Sequence, residues 1–192
     1  MNYQDYIWDL GGTLLDNYET STAAFVHTLQ DFGLTGSHDE VYKALKVSTD
    51  YAVRQFAPGN KEFLKSYKAN EAKELEHPIL FEGASELLAQ IIQQGGRNFL
   101  ISHRDDQVLE ILQKTQISGY FTEVVTATNG FKRKPDPESI LYLKDKYQIE
   151  SGLVIGDRPI DIEAGQAAGF SCYLFDNMRN LEEFVDIELE KE

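Results

Sequence analysis

Residues 6–13 read YIWDLGGT, in which a short apolar run ends at an acidic side chain and a pair of glycines. Tyr6, Ile7 and Trp8 have the length and apolar character of a buried strand, which then stops at Asp9. The glycines that follow break regular structure and let the backbone turn tightly, so that its N–H groups can come close to a ligand. The segment therefore predicts a buried strand that delivers Asp9 to a loop.

Apolar runs followed by polar loop residues recur along the second half of the chain. Further strands are predicted at 97–101, 121–126, 153–155 and 172–175, and helices at 83–93, 105–114, 137–147 and 160–168. Strands that alternate with helices of about ten to fifteen residues are typical of βαβ units and a parallel sheet. The expected fold class is α/β, a Rossmann-like parallel sheet flanked by helices, with ligands bound outside the carboxyl ends of the strands.

A block without strand signals separates the first strand from the others. Apolar residues at helical spacing predict four short helices within it, and His77-Pro78 marks its end. We therefore expect a core formed by residues 1–16 and 78–192, with a helical insertion formed by residues 17–77.

The composition limits the classes of function. Of the 192 residues, 42% are hydrophobic and 26% are charged, as in soluble globular proteins, and the formal net charge of −14 disfavours nucleic acids and anionic membranes as partners. A single cysteine, Cys172, rules out a disulfide framework within the chain, and the sequence has no run of about 18 apolar residues. No signal peptide is expected, because the first residues show no basic region followed by an apolar stretch. We expect a cytoplasmic monomer or dimer that supplies local positive charge, or a bound cation, for any anionic ligand.

Polar side chains stand where the predicted strands end. Asp9, Ser102 and Asp157 follow strands closely, and Lys134 lies in the loop after the strand at 121–126. Two carboxylates that converge at one edge of a sheet repel each other unless a cation lies between them. Mg²⁺ prefers oxygen ligands of this kind, so a magnesium site is expected there.

Some of these residues also have simpler structural interpretations. Asp9 is a common turn residue. Ser102, with Asp105 three residues later, is compatible with a capping box for the next helix. Asp161 is compatible with a helix N-cap or with a hydrogen bond that orients its loop.

Lys134 belongs to KRKPDP, residues 132–137, the dense basic cluster of this acidic chain. Lys132 and Arg133 are interpreted as solvent-exposed. The two prolines hold the backbone rigid, so the loop is expected to aim the ammonium of Lys134 inward.

The order and spacing of these residues resemble those of the haloacid dehalogenase-like (HAD) superfamily of hydrolases. The four motifs of that family are matched by Asp9 with Gly12-Thr13, by Ser102, by Lys134-Pro135, and by Gly156-Asp157 with Asp161. The resemblance covers about residues 5–176, and the insertion is similar to the small helical C1-type cap of that family.

The resemblance implies a Mg²⁺-dependent phosphatase that acts on a small phosphorylated metabolite. Asp9 would be the nucleophile that carries the phosphoryl group, and Ser102 and Lys134 would hold the phosphoryl oxygens and neutralise charge. The residues expected to bind substrate in addition are Leu10, Gly11, Thr13 and His103.

The resemblance also implies the metal ligands. Mg²⁺ would be bound by the carboxylates of Asp9 and Asp157 and by the backbone carbonyl of Gly11, while Asp161 would support the loop of Asp157. A carboxylate can attack a phosphate dianion only if a cation screens the repulsion, so this ligand set agrees with the chemistry.

Position 11 departs from the family pattern. Phosphatase members read Asp-x-Asp-Gly-Thr, and their second Asp protonates the leaving alkoxide and then activates water, whereas this chain has Gly11. General acid–base groups typically contribute about 10²–10⁴-fold. Three outcomes stay open: a substitute such as water, His103 or Asp16, a restriction to good leaving groups, or slow hydrolysis.

Other functions are also considered. A non-catalytic or slow-turnover phosphate-binding or regulatory protein of the same fold is the alternative that Gly11 leaves open. Dehalogenation would use the same nucleophile, but Lys134 and the paired carboxylates suit phosphate and Mg²⁺ better. A nucleotide-binding regulator is disfavoured because no Gly-x-Gly-x-x-Gly follows the first strand.

Overall fold

The computed structural model describes residues 3–74 and 76–189, of which residues 186–189 are described by their backbone alone. Its strands are β1 (Asp5–Trp8), β2 (Arg97–Ile101), β3 (Phe121–Val125), β4 (Gly152–Gly156) and β5 (Ser171–Leu174). They form one parallel sheet in the order β3-β2-β1-β4-β5. The predicted fold class, a Rossmann-like parallel α/β sheet, is confirmed.

Nine α-helices accompany the sheet within the described residues. They are α1 (Asn17–Asp31), α2 (His38–Val47), α3 (Thr49–Phe56), α4 (Phe63–Glu74), α5 (Ala84–Gln93), α6 (Gln107–Lys114), α7 (Glu138–Tyr147), α8 (Pro159–Ala167) and α9 (Met178–Leu189). None of these helices has the length and hydropathy needed to cross a membrane.

The central strands are buried on both faces, which explains why they read as continuous apolar runs. Side chains alternate across a strand, so Tyr6 and Trp8 pack with α5, α6 and α9, while Ile7 packs on the opposite face with α7 and α8. All the residues of β1 and β4 are buried. The loops after these two strands therefore start from the rigid centre of the sheet.

Two polar contacts join β1 to β2. The indole N–H of Trp8 donates to Asn98 Oδ1 at 2.9 Å, and Asn98 Nδ2 donates to the carbonyl of Leu88 at 3.1 Å. At the other end, Arg97 donates to both carboxylate oxygens of Asp5, at 2.5 and 2.9 Å. Directional bonds of this kind fix the register of the two strands, and so the position along the sheet at which each strand ends.

The chain divides into two compact units, residues 1–15 with 80–192 and residues 16–79. The predicted boundaries, 1–16 with 78–192 and 17–77, lie one or two residues away. The second unit has its own core, in which the ring of Phe25 lies 4.9 Å from that of Phe63 and 5.0 Å from that of Tyr67, measured between centroids. Its function as a cap stays a prediction.

The start of α6 differs from the predicted helix at 105–114. Asp105 Oδ1 accepts the N–H of Gln107 at 3.1 Å, and this turn delays the first helical residue to Gln107. The hydroxyl oxygen of Ser102 accepts instead from the N–H of Arg104, at 3.3 Å. The interpretation of Ser102 as the cap of this helix is therefore wrong.

Candidate active site

Asp9 lies at the carboxyl end of β1, in the middle of the sheet. Its N–H donates to the carbonyl of Ile155 at 2.8 Å, so the backbone of Asp9 continues the pairing with β4. The residue is only 7% exposed. A carboxylate in this position is directed by the sheet rather than by a loose loop.

The ammonium of Lys134 is buried against that carboxylate. Lys134 Nζ lies 2.5 Å from Asp9 Oδ1, and the Lys134 side chain is 3% exposed. It also forms an ion pair with Asp161 Oδ1, without the angles of a hydrogen bond. The loop after β3 thus aims Lys134 inward, and one cation is shared by two carboxylates.

A third carboxylate, that of Asp157, completes an acidic cluster. One oxygen from each of Asp9, Asp157 and Asp161 lies within 4.8 Å of the other two. Asp157 Oδ1 is buried and has no hydrogen-bond partner among the described residues. An acceptor left in this state is costly unless a donor or a cation meets it, so the cluster fits a bound metal ion.

The charges of this cluster are reflected in its titration. Burial, with the neighbouring charges of Asp9 and Asp161, raises the pKa of Asp157 to about 6. Burial also raises the pKa of Asp9, against the opposing influence of Lys134. These carboxylates therefore repel one another, and the positive charges of Lys134 and Arg158 offset that repulsion only in part, so that a further cation would be stabilised there.

The loop after β1 needs Gly12 for a reason of space as well as conformation. Gly12 has a φ of +84°, and a Cβ built on it would collide with the carboxylate of Asp157. The N–H of Gly12 donates to the carbonyl of Leu15 at 2.9 Å, which closes the loop on itself. A side chain at position 12 would therefore disturb the acidic cluster.

The predicted substrate-binding residues of this loop are largely buried. The side chain of Leu10 is fully buried in the core. Thr13 is also fully buried, and its hydroxyl has no hydrogen-bond partner among the described residues. Gly11 is half-buried and forms a backbone bridge with Leu15. Contacts from Leu10 and Gly11 to a ligand would therefore come from the backbone.

Ser102 follows β2 directly and is 6% exposed. Its N–H donates to the carbonyl of Val125 at 2.9 Å, so the backbone of Ser102 extends the pairing with β3. The hydroxyl oxygen accepts from Arg104, which leaves the hydroxyl hydrogen available to a ligand.

His103 binds the backbone of Lys134. Its Nε2 accepts the N–H of Lys134 at 3.0 Å, so the ring proton is on Nδ1. Burial and the positive charges of Lys134, Arg133 and Arg158 lower the pKa of His103 to about 4. A neutral imidazole whose Nε2 is already bonded is a poor general base near pH 7, which weighs against His103 as the substitute for the missing Asp.

Asp16, the other suggested substitute, belongs to the helical unit. Its Oδ1 accepts the N–H of Glu19 at 3.0 Å and so caps α1.

Asp161, in the acidic cluster, orients the loop after β4. Its Oδ2 accepts the N–H of Arg158 at 3.1 Å, which is the loop-orienting hydrogen bond that the sequence suggested for this residue.

Sequence reasoning missed one feature of this site. It did not connect His103 with Lys134, whereas its interpretation of Arg133 as solvent-exposed is confirmed. The partners in the His103–Lys134 bond are 31 residues apart, and no local pattern marks a contact of that separation. The only available signal was the position of both residues in loops after adjacent strands.

Comparison with known proteins agrees with this arrangement. The sequence matches the family described as haloacid dehalogenase-like hydrolase over residues 6–175. The crystal structure of a hydrolase from Streptococcus pneumoniae TIGR4 is 69% identical, with a TM-score of 0.93, and the match covers 97% of this chain and 100% of that one.

Two curated relatives are more distant. A phosphoglycolate phosphatase of Aliivibrio fischeri is 28% identical in an alignment of 189 positions, which covers 88% of this chain and 81% of that protein. The pyrophosphatase PpaX of Oceanobacillus iheyensis is 26% identical in an alignment of 179 positions, which also covers 88% of this chain and 81% of that protein. The prediction of a hydrolase is confirmed, and by the extent of these matches the chain belongs to the haloacid dehalogenase-like hydrolase family.

Proposed function

We propose that this protein is a Mg²⁺-dependent phosphatase that hydrolyses a small phosphorylated metabolite through an aspartyl-phosphate on Asp9. The buried contact between Lys134 and Asp9, beside two further carboxylates, is the observation that carries the proposal. Phosphoryl transfer depends mainly on positioning and on charge neutralisation, which such a cluster supplies. Relatives named phosphoglycolate phosphatase and pyrophosphatase support the same class of reaction.

Mg²⁺ is the cofactor that this set of donors fits. Asp9 and Asp157 would hold it through carboxylate oxygens, and Gly11 through its backbone carbonyl. Water would fill the remaining coordination positions, as is common for this ion. When bound, it screens the repulsion between the nucleophile and the phosphate. Asp161 keeps Lys134 and the backbone of Arg158 in place.

The first step is attack by a carboxylate oxygen of Asp9 on phosphorus. A bond forms between that oxygen and phosphorus, the bond from phosphorus to the ester oxygen breaks, and the leaving group departs with the electron pair. Lys134 has three N–H donors, and its contacts with Asp9 and Asp161 occupy at most two. The third N–H donor of Lys134 and the hydroxyl of Ser102 are both available to the phosphoryl oxygens.

The second step is attack of water on the phosphorus of the aspartyl-phosphate. The bond from phosphorus to Asp9 breaks, inorganic phosphate leaves, and one proton passes to solvent. Gly11 has no side chain to accept that proton, and His103 is a weak base. We therefore expect breakdown of the intermediate to be slower than its formation, and substrates with acidic leaving groups to be favoured.

The nucleophile is tested by phosphate release. Purified protein with Mg²⁺ is expected to hydrolyse p-nitrophenyl phosphate, and both EDTA and Asp9→Asn are expected to abolish the activity. Asp145→Asn, which neutralises an exposed carboxylate on α7, is the matched control and should remain active. Hydrolysis that survives Asp9→Asn would contradict the assignment of Asp9.

The consequence of Gly11 is tested by rapid quench. The wild-type protein is expected to release a burst of p-nitrophenol close to one equivalent before a slower steady state. Gly11→Asp restores a general base and should raise the steady-state rate by up to about 10²–10⁴-fold while reducing the burst. Equal steady-state rates and no burst in either protein would show that position 11 does not limit breakdown.

A non-catalytic phosphate-binding or regulatory protein is the second candidate, favoured by Gly11 and the low basicity of His103. This candidate predicts saturable binding of inorganic phosphate with release of no more than one equivalent of p-nitrophenol. Continued release beyond one equivalent excludes it.

A further inference from the structure

A cavity of about 250 Å³ lies beside Ser102 and His103, on the side of β3. Its apolar wall is formed by Ile101, Val125, Ala127 and Phe131. Lys132 and Arg133 complete the lining, with Thr126 and Ser139. Asp9 and Lys134 line a different, much smaller space, so this cavity is a neighbour of the candidate phosphoryl site and not the same site.

The rim of the cavity is cationic. Arg133 is exposed and forms no ion pair among the described residues, and its charge reaches His103. Lys132 is partly neutralised by Asp136, with 3.6 Å between Nζ and Oδ2. In a chain with a net charge of −14, an arginine without an acidic partner beside the candidate site favours an anionic ligand.

The other polar side chains that line the cavity, Ser102, His103, Thr126 and Ser139, are uncharged near pH 7. His103 is neutral there because of its low pKa. The hydroxyl of Thr126 donates to Asp106 Oδ1 at 2.8 Å. Ser139 Oγ is buried and has no hydrogen-bond partner among the described residues.

The size of the cavity limits the ligand. With about 30 Å³ for each water in the liquid, 250 Å³ holds on the order of eight waters. That is just below the range of about 300–1,000 Å³ found for pockets that take drug-sized ligands. A carboxylate or phosphate group on a short linker fits.

We propose that this cavity is a subsite for a second anionic group of the substrate, and that Arg133 is its principal cation. The inference rests on the proposed function, because Ser102, which lines the cavity, is a proposed phosphoryl-binding residue, and His103, which also lines it, bonds the backbone of Lys134. It narrows the substrate class to small phosphate compounds with two anionic groups. The second group is a carboxylate or a phosphate, and separate substrates distinguish the two.

The first experiment compares substrates matched in length. We would measure kcat/KM for 2-phosphoglycolate and for 2-hydroxyethyl phosphate, which lacks the carboxylate, and then for pyrophosphate. Arg133→Gln is expected to lower the ratio of kcat/KM for 2-phosphoglycolate over 2-hydroxyethyl phosphate about 10–100-fold, as loss of a charge-assisted hydrogen bond implies. An effect confined to pyrophosphate would assign the subsite to phosphate.

Two further variants separate charge from folding. Arg179→Gln makes the same change on α9, at a side chain that is 86% exposed, and is expected to leave the ratio unchanged. Ala127→Phe fills the cavity without changing its charge and is expected to lower the ratio as Arg133→Gln does. An unchanged ratio in both Arg133→Gln and Ala127→Phe would overturn the subsite.

Calorimetry on the Asp9→Asn background tests the subsite without turnover. There, 2-phosphoglycolate should bind more tightly than 2-hydroxyethyl phosphate, and adding Arg133→Gln should remove the difference. Such binding without hydrolysis by the wild-type protein would contradict the proposed function and support the subsite. Hydrolysis of both substrates by the wild-type protein, with equal affinities on the Asp9→Asn background, would support the proposed function and overturn the subsite. Absence of both binding and hydrolysis would overturn both.

Discussion

Gly12 connects the conformation of the nucleophile loop with the acidic cluster. Gly12→Ala would meet left-handed backbone strain of about 1–2 kcal/mol and would also push the carboxylate of Asp157. We expect a higher Mg²⁺ concentration for half-maximal activity, measured by titration of phosphate release. Gly95→Ala is the control, because Gly95 has the same φ of +84° with nothing within 4 Å of its Cβ. Equal Mg²⁺ requirements in the two variants would contradict the role of the collision.

His103 gives the protein a stability that depends on pH. Its pKa of about 4 in the folded protein lies below the ordinary value of 6.5, so on acidification the unfolded chain takes up the proton first. This contribution to the free energy of unfolding is intact above pH 6.5 and is lost progressively as the pH falls to about 4.

The corresponding variant is His103→Asn, which can still accept the N–H of Lys134 but does not titrate. We expect its free energy of unfolding to fall less between pH 7 and pH 5 than that of the wild-type protein, measured by urea unfolding at each pH. The control is His77→Asn, at an exposed position. A fall as large as that of the wild-type protein would contradict the linkage.

The positions of the site residues follow from the sequence better than their contacts do. Asp9, Ser102 and Asp157 were predicted at one edge of the sheet because the carboxyl ends of parallel strands share that edge, and the structure brings Asp9 and Asp157 into one cluster. Their catalytic roles stay predictions. The contacts of His103 and Arg133 could not be predicted, because they depend on how two separate loops pack.

The pairing of β1 with β2 depends on the buried amide of Asn98. We expect Asn98→Ala to lower the free energy of unfolding by about 2–4 kcal/mol, because it leaves the indole N–H of Trp8 buried without a partner. Urea unfolding followed by fluorescence is the measurement, since Trp8 is the only tryptophan. Asn180→Ala, on an exposed part of α9, is expected to cost less than about 0.5 kcal/mol. Similar losses in both variants would contradict the importance of burial.

The strands and helices were predicted closely where the apolar pattern is strong. The strand at 97–101 coincides with β2, and the four helices of the insertion are all present. β1 starts at Asp5, before the apolar run, because a salt bridge to Arg97 makes burial of that carboxylate tolerable. α9 was not predicted; it covers the sheet with Leu181 and Val185, a packing that only the tertiary fold defines.

The described residues form two compact units with separate hydrophobic clusters, so local unfolding is expected to respect the division between the units. Phe25→Ala removes the central ring of the helical unit and should cost about 3–5 kcal/mol there. Amide hydrogen exchange should accelerate in residues 17–74 and remain slow in β2 and β4. Leu64→Ala, at a side chain that is 40% exposed, is the control within the same unit. Equal acceleration in both units would show that they unfold together.

The order of the strands has a consequence for synthesis on the ribosome. β1 precedes the other strands in the chain, yet it lies in the middle of the sheet, where Asp5 is paired with Arg97 and Gly152. The strand that carries Asp9 must therefore wait for its first neighbour, β2, until about half of the chain has emerged, and for its second neighbour, β4, until most of it has. β4 and β5 are joined by α8 alone and can pair much sooner after they appear. A nascent chain stalled before residue 152 would expose an apolar strand, and such intermediates are natural clients for chaperones.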